Sequence, residues 1–319
     1  MKLKAKWFFG LMIVILILFA PISIIGQTEP SSEGVTFESV TVDGDIQHYV
    51  LYTPENPIGG VLIIPSYVAT QFELLEDQIL DENWEESHVV KAAKKFGLAL
   101  VMAAGAAADF YSPNKGEKRV LACLDDANAS LKIPSESWFI YGFSMGGAGA
   151  ITISLRHPGL FGGLYVGDGL IWTLPNLLDF LAASEWDNAT QFLQLDPLLH
   201  LELFRDKTLF LASGTNNGAY NTNVLETDNF SLALNDSGIK HYYYRGVEDH
   251  SVLLLFNSMN LTFNMFSHSI AGTLDQFYAD PLTLKTIPTT PTTPTTTPAW
   301  MLAVLLIALF SSYSRRRTR

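Results

Sequence analysis

The chain has 319 residues, 48% of them hydrophobic, which is enough for one substantial core, and α/β folds of this size are commonly a single domain. Its formal net charge of −12, from 20 Lys and Arg against 32 Asp and Glu, would repel nucleic-acid phosphates and argues against a nucleic-acid partner. The single cysteine, Cys123, rules out an intrachain disulfide or a cysteine metal cluster, and its expected place is the buried side of a helix.

In chain order, Lys2, Lys4 and Lys6 precede an apolar run over residues 7–20 that Pro21 breaks, the pattern of a signal peptide over residues 1–26 or of an uncleaved N-terminal anchor. Residues 36–42 and 46–52 are β-prone runs around an Asp43-Gly44 turn, a predicted hairpin. Residues 61–64 are fully apolar, as a buried parallel strand requires. A helix is expected over 86–96 with Gly97 as its stop, then a strand over 98–103 and an amphipathic helix over 116–131. The apolar run 138–141 leads into Gly142-Phe143-Ser144-Met145-Gly146, and small and apolar residues follow at helical spacing. Strand, G-x-S-x-G, helix is the pattern of a nucleophile elbow, in which a sharp turn presents a serine hydroxyl above the sheet. Strands over 164–167, 207–212 and 240–245 and helices over 224–235 and 252–263 complete the prediction. The alternation defines an α/β class with a mainly parallel, doubly wound sheet and helices on both faces. Residues 170–206 are too long for a simple crossover, and Trp172, Phe180, Trp186 and Phe192 within them fit either a helical cap over the serine or ordinary surface helices.

The catalytic domain is expected to span 35–286. Residues 287–298 are almost wholly Thr and Pro and read as an extended stalk. Residues 299–319 form a short apolar segment ending in Arg315, Arg316, Arg317 and Arg319. Even counted through Ser314, that segment gives only about 16 residues, roughly 24 Å of helix, where a full span needs about 20. The basic ends place both termini on the cytoplasmic side and the middle outside, a membrane partnership through the terminal segments. Five Asn-x-Ser/Thr sequons, at Asn128, Asn188, Asn229, Asn235 and Asn260, permit glycosylation there.

Several segments together resemble a known family. The elbow is followed by His157-Pro158-Gly159-Leu160-Phe161-Gly162-Gly163, similar to the "HPxxFxG" segment of the α/β-hydrolases in the esterase D, feruloyl esterase and antigen 85 group. Residues 61–66 occupy the place of that group's oxyanion strand, and Asp109-Phe110-Tyr111-Ser112 resembles its "FYS" loop. Ser213-Gly214-Thr215-Asn216-Asn217-Gly218 resembles its "GTxD" acid loop, and residues 238–250 its last strand and "GxH". The likeness covers about residues 45–265. The C-terminal segment resembles an archaeosortase-type sorting tail, which would be removed and the stalk joined to a lipid; a retained anchor in a thin membrane is the other reading.

A serine hydroxyl is a weak nucleophile until an imidazole takes its proton. Of the seven histidines, His250 alone follows the last strand and precedes the final helix, where this fold carries its base. The third member is ambiguous. The family position for the acid holds Asn217, which can orient an imidazole but offers it no charge. Asp168, between Gly167 and Gly169 one strand nearer the serine, is the favoured acid, an arrangement some lipases resemble; Glu226 and Asp228 remain alternatives. For the oxyanion hole, Met145 is expected to supply one backbone N–H, and since Pro65 has none the second falls to Ser66 or Tyr67, of which Tyr67 is the choice.

The resulting expectation is an extracytoplasmic serine esterase that hydrolyses carboxylic esters, small-molecule or on acylated glycans, through an acyl-enzyme. Two other readings stay open: an acyltransferase to sugar or lipid hydroxyls, and a surface-binding protein that kept the fold and lost turnover. No P-loop, dinucleotide fingerprint or zinc-like spacing is present, so no metal and no cofactor is expected.

Overall fold

The computed structural model describes residues 34–64, 87–103, 115–169, 195–215, 221–250 and 252–280. The expected signal segment, most of the cap insert, the "FYS" loop, Tyr67, Asn217, the stalk and the tail lie outside those residues. Among the described residues no helix is long and apolar enough to cross a membrane.

The strands are Val35–Val42 (β1), Asp45–Tyr52 (β2), Gly59–Ile64 (β3), Leu98–Ala103 (β4), Trp138–Phe143 (β5), Gly163–Gly167 (β6), Thr208–Gly214 (β7) and Tyr242–Gly246 (β8). They form one sheet in the order β1-β2-β4-β3-β5-β6-β7-β8. The β1–β2 hairpin is antiparallel and joins β4 antiparallel, whereas every pairing from β4 to β8 is parallel. This is the predicted doubly wound sheet with an antiparallel edge.

The helices are His88–Phe96 (α1), Gly116–Leu131 (α2), Met145–Arg156 (α3), Asn221–Asp236 (α4), Val252–Ile270 (α5) and Leu274–Ala279 (α6). Local chemistry fixes several of their ends. Ser87 Oγ accepts the Val90 N–H at 3.2 Å to cap α1, and Gly97 closes it at φ 66°. Asn128 ends α2 by accepting the Ile133 N–H and donating to the Ile133 carbonyl.

Strand residues alternate between two cores because successive side chains point to opposite faces. Leu62 and Ile64 join Val120, Cys123, Ile151 and Phe230 beneath α2, α3 and α4, while Val61 and Ile63 join Val89, Leu254, Phe263 and Phe277 beneath α1, α5 and α6. Both faces of β3, β4, β5, β6 and β7 are therefore covered, as an unbroken run of buried residues in each requires. Cys123 is wholly buried on α2, and burial, reinforced by Asp126, pushes its thiol up to about 12, which keeps it protonated at neutral pH.

The "HPxxFxG"-like segment has a visible structural role in closing α3 against its neighbours. The buried carboxylate of Glu117 at the start of α2 takes Arg156 Nε at 2.9 Å and His157 Nε2 at 2.9 Å, and Phe161 is buried behind them.

Candidate active site

The site begins with the end of β5. Gly142 leads the chain into a turn so tight that a Cβ there would lie 2.0 Å from the Gly146 carbonyl oxygen, a clash with backbone that no rotamer relieves. Ser144 takes φ 55° and ψ −122°, a conformation that costs a non-glycine residue about 1–3 kcal/mol. Two backbone bonds hold it there: its N–H donates to Gly167 of β6 at 2.8 Å and its carbonyl accepts from Ala148 of α3 at 3.2 Å. A Cβ on Gly147 would come within 2.8 Å of Gly169 Cα, so α3 packs directly on the chain leaving β6.

That exit carries Asp168, which is fully buried with φ 41°. Its N–H continues the ladder to the Ala212 carbonyl of β7 at 2.8 Å. Its Oδ1 accepts from Ser213 Oγ at 2.9 Å and from the Gly214 N–H at 3.1 Å. Its Oδ2 faces His250 Nδ1 at 3.3 Å. On the opposite side of the ring, His250 Nε2 lies 2.9 Å from Ser144 Oγ. The ring of Phe143, the residue before the serine, lies against the imidazole with centroids 4.9 Å apart. In the neutral tautomer this network requires, Nδ1–H donates to the carboxylate and Nε2 accepts the serine proton.

The structure thus brings together Ser144, His250 and Asp168, residues separated by up to 106 positions in the chain. Met145 begins α3, where the first N–H groups of a helix have no partner within it, and it stands beside the serine. Tyr67 is outside the described residues, but Ile64 pairs with Gly142, so the chain leaves β3 next to the elbow. Of the alternatives for the acid, Asp228 accepts from Tyr243 Oη at 2.7 Å and pairs with Arg245 at 3.2 Å, and Glu226 is buried on α4. The carboxylate on the histidine is that of Asp168. Ser213 and Gly214, read from the sequence as part of an acid loop, hold the Asp168 carboxylate of the neighbouring strand.

The remaining histidines are occupied or distant. His157 is on Glu117, His241 faces Ser231 Oγ and the Ile239 carbonyl, His268 meets Thr273, and His88 stacks on Phe256. Among the described residues no cluster of His, Cys, Asp and Glu could hold a metal ion.

A hydroxyl at a helix N-terminus, an imidazole within bonding reach and a buried carboxylate behind it can deliver a proton-stripped serine oxygen to an electrophilic carbon. No family model and no curated protein sequence matches the chain. Solved structures do. A ferulic acid esterase is 13% identical with a TM-score of 0.60, over 74% of this chain and 98% of its own. The fluorophosphonate-binding serine hydrolase F of Staphylococcus aureus is 14% identical with a TM-score of 0.59, over 73% of this chain and 98% of its own. MPT51 of Mycobacterium tuberculosis is 14% identical with a TM-score of 0.61, over 75% of this chain and all of its own. Identities this low speak to the fold, and the fold is that of an α/β-hydrolase.

Proposed function

We propose that the protein is a serine esterase acting on carboxylic esters. The observation that carries this reading is the bridge of one imidazole between Ser144 Oγ at 2.9 Å and the buried Asp168 carboxylate at 3.3 Å. In the proposed reaction Ser144 Oγ attacks the ester carbonyl carbon while its proton passes to His250 Nε2. The N–H groups of Met145 and, on this reading, Tyr67 stabilise the oxyanion. As the tetrahedral species collapses, the imidazolium gives that proton to the leaving alkoxide, and an acyl-serine remains. Water, deprotonated by the same nitrogen, then releases the carboxylic acid and restores the serine. Asp168 holds the ring in the required tautomer and offsets its positive charge during each transfer. Substrates on this reading are small-molecule esters or acylated glycans, with no metal or cofactor.

We place the enzyme outside the cytoplasm and anchored to the membrane, on the strength of the basic and apolar terminal segments and the Thr/Pro stalk. The likeness of the tail to a sorting signal supports a lipid-joined mature form; intact mass of the membrane-extracted protein distinguishes that from a retained tail. Transfer of the acyl group to a sugar or lipid hydroxyl would use the same acyl-serine. Acid released to water without transfer to added glycerol or trehalose argues for hydrolysis.

The full chain in detergent, assayed with p-nitrophenyl acetate to octanoate and a fluorophosphonate probe, tests the reading. Turnover and labelling of Ser144, both lost in Ser144→Ala by about 10⁴-fold or more, are the expected result. A well-folded wild type that neither turns over esters nor takes the probe would refute it and leave the binding-protein reading.

A further inference from the structure

His250 sits in the stretch over residues 247–251 that joins the last residue of β8, Gly246, to the start of α5 at Val252. Neighbouring Val247 is 84% exposed, so apolar burial does not fix this loop. One carboxylate of the loop reaches both flanking elements. Glu248 folds back over the end of β8, its Oε2 buried so closely on Gly246 that a Cβ there would lie 1.7 Å from it. Its Oε1 accepts from Tyr244 Oη of β8 at 3.1 Å and from Asn257 Nδ2 of α5 at 2.6 Å. Burial and this carboxylate push Tyr244 up to about 12, so the phenol remains a donor across the working pH range. Gly246 is itself tied down, its carbonyl accepting both the N–H and the Oγ1 of Thr215 at 2.9 Å each. Thr215 follows Gly214, whose N–H holds Asp168. One side chain thus joins the strand before the histidine to the helix after it, on a strand end anchored next to the acid.

We propose that Glu248 is a positioning residue for His250: its clamp on Tyr244, Gly246 and Asn257 sets the loop at the height where Nε2 meets Ser144 and Nδ1 meets Asp168. Glu248 touches no reacting atom and acts through the loop. A misplacement of about 1 Å in a reacting group costs up to about a hundredfold in rate, so a loosened loop is read directly in turnover. The kinetic part rests on the esterase reading, and a spectroscopic part does not.

The experiment compares Glu248→Ala, Glu248→Gln and Asn257→Ala in the full chain. Three readouts are taken: kcat and KM on p-nitrophenyl acetate, melting temperature, and the downfield proton resonance of the His250–Asp168 hydrogen bond. Glu248→Ala is expected to lower kcat by about ten- to a hundredfold with KM within about twofold, and to broaden or remove the resonance. Glu248→Gln retains an oxygen that accepts from both donors and is expected to recover most of kcat and the resonance. Asn257 is exposed, so its truncation leaves the core intact, and a loss of about threefold in kcat is expected. A sharp wild-type-like resonance and full kcat in Glu248→Ala would overturn the proposal. So would a loss that Glu248→Gln fails to recover. Should Glu248→Ala not fold, an unchanged kcat in Asn257→Ala decides against the clamp. If the wild type shows the resonance but no ester turnover, the function fails, while loss of the resonance in Glu248→Ala still supports the clamp.

Discussion

The serine and the histidine of this site are held in different ways. The serine stands in a region built from backbone: two glycines that admit no Cβ, a ladder bond to β6, a carbonyl bond into α3 and buried strands on both sides. The histidine stands on a short loop that also carries an exposed valine; Glu248 of that loop is bonded to side chains of β8 and α5, and the ring faces the Asp168 carboxylate. Backbone construction makes the serine's position a property of the fold, so perturbing it is expected to damage folding. Side-chain construction makes the histidine's position adjustable, so on the esterase reading perturbing it is expected to lower the rate first.

The contrast can be broken at its strongest point by Gly142→Ala. The added methyl meets backbone atoms 2.0 Å away, and we expect a loss of about 3 kcal/mol or more in urea unfolding, with little folded protein recovered. Near-native stability would mean that the elbow is not the rigid half. Asp168→Asn tests the carboxylate shared by both halves. The ring loses the charge that favours its cationic form, and kcat is expected to fall by about 10²–10⁴ while the protein stays folded. A change of only a few-fold would remove Asp168 from the mechanism and return attention to Asn217.

His241 supplies the mildest test, because it precedes the same strand that leads to His250. Its Nδ1–H donates to Ile239 and its Nε2 accepts from Ser231 at 2.6 Å, a neutral pairing, and burial lowers its pKa from the ordinary 6.5. A histidine whose folded pKa is depressed contributes stability that is complete above the unfolded pKa and is lost as pH falls through the folded one. His241→Gln should therefore cost about 1 kcal/mol at pH 8, a deficit that shrinks below about pH 6.5, with ester turnover unaffected. Equal pH dependence in wild type and variant would contradict this.

Most of the fold was legible because its signals are local. The parallel strands are unbroken apolar runs, the hairpin turns at Asp43-Gly44, and Gly97 stops its helix. The misjudged boundaries have physical causes. Strand β3 begins at Gly59 rather than Val61, because the ring of Trp138 packs where a Gly60 side chain would be. Strand β8 begins at Tyr242 rather than Lys240, since the Ile239 N–H is used to close α4 on Leu234 and His241 is turned toward Ser231. Helix α5 runs to Ile270 rather than Phe263, with Met265 and Phe266 still buried beyond the predicted stop. At the site, Ser144, His250 and Asp168 were marked by turn residues and by their order in the chain. The partners Ser213, Tyr244, Glu248 and Asn257 carry no pattern in one dimension, since their significance lies in which strand ends and helix turns meet. Glu248 read alone is an ordinary loop acid.

Asp168 rides on β6, with only Ser213 and Gly214 of β7 reaching across to it. The carboxylate's alignment is therefore shared between two adjacent strands, and a change at Ser213 would reach the imidazole by way of Asp168.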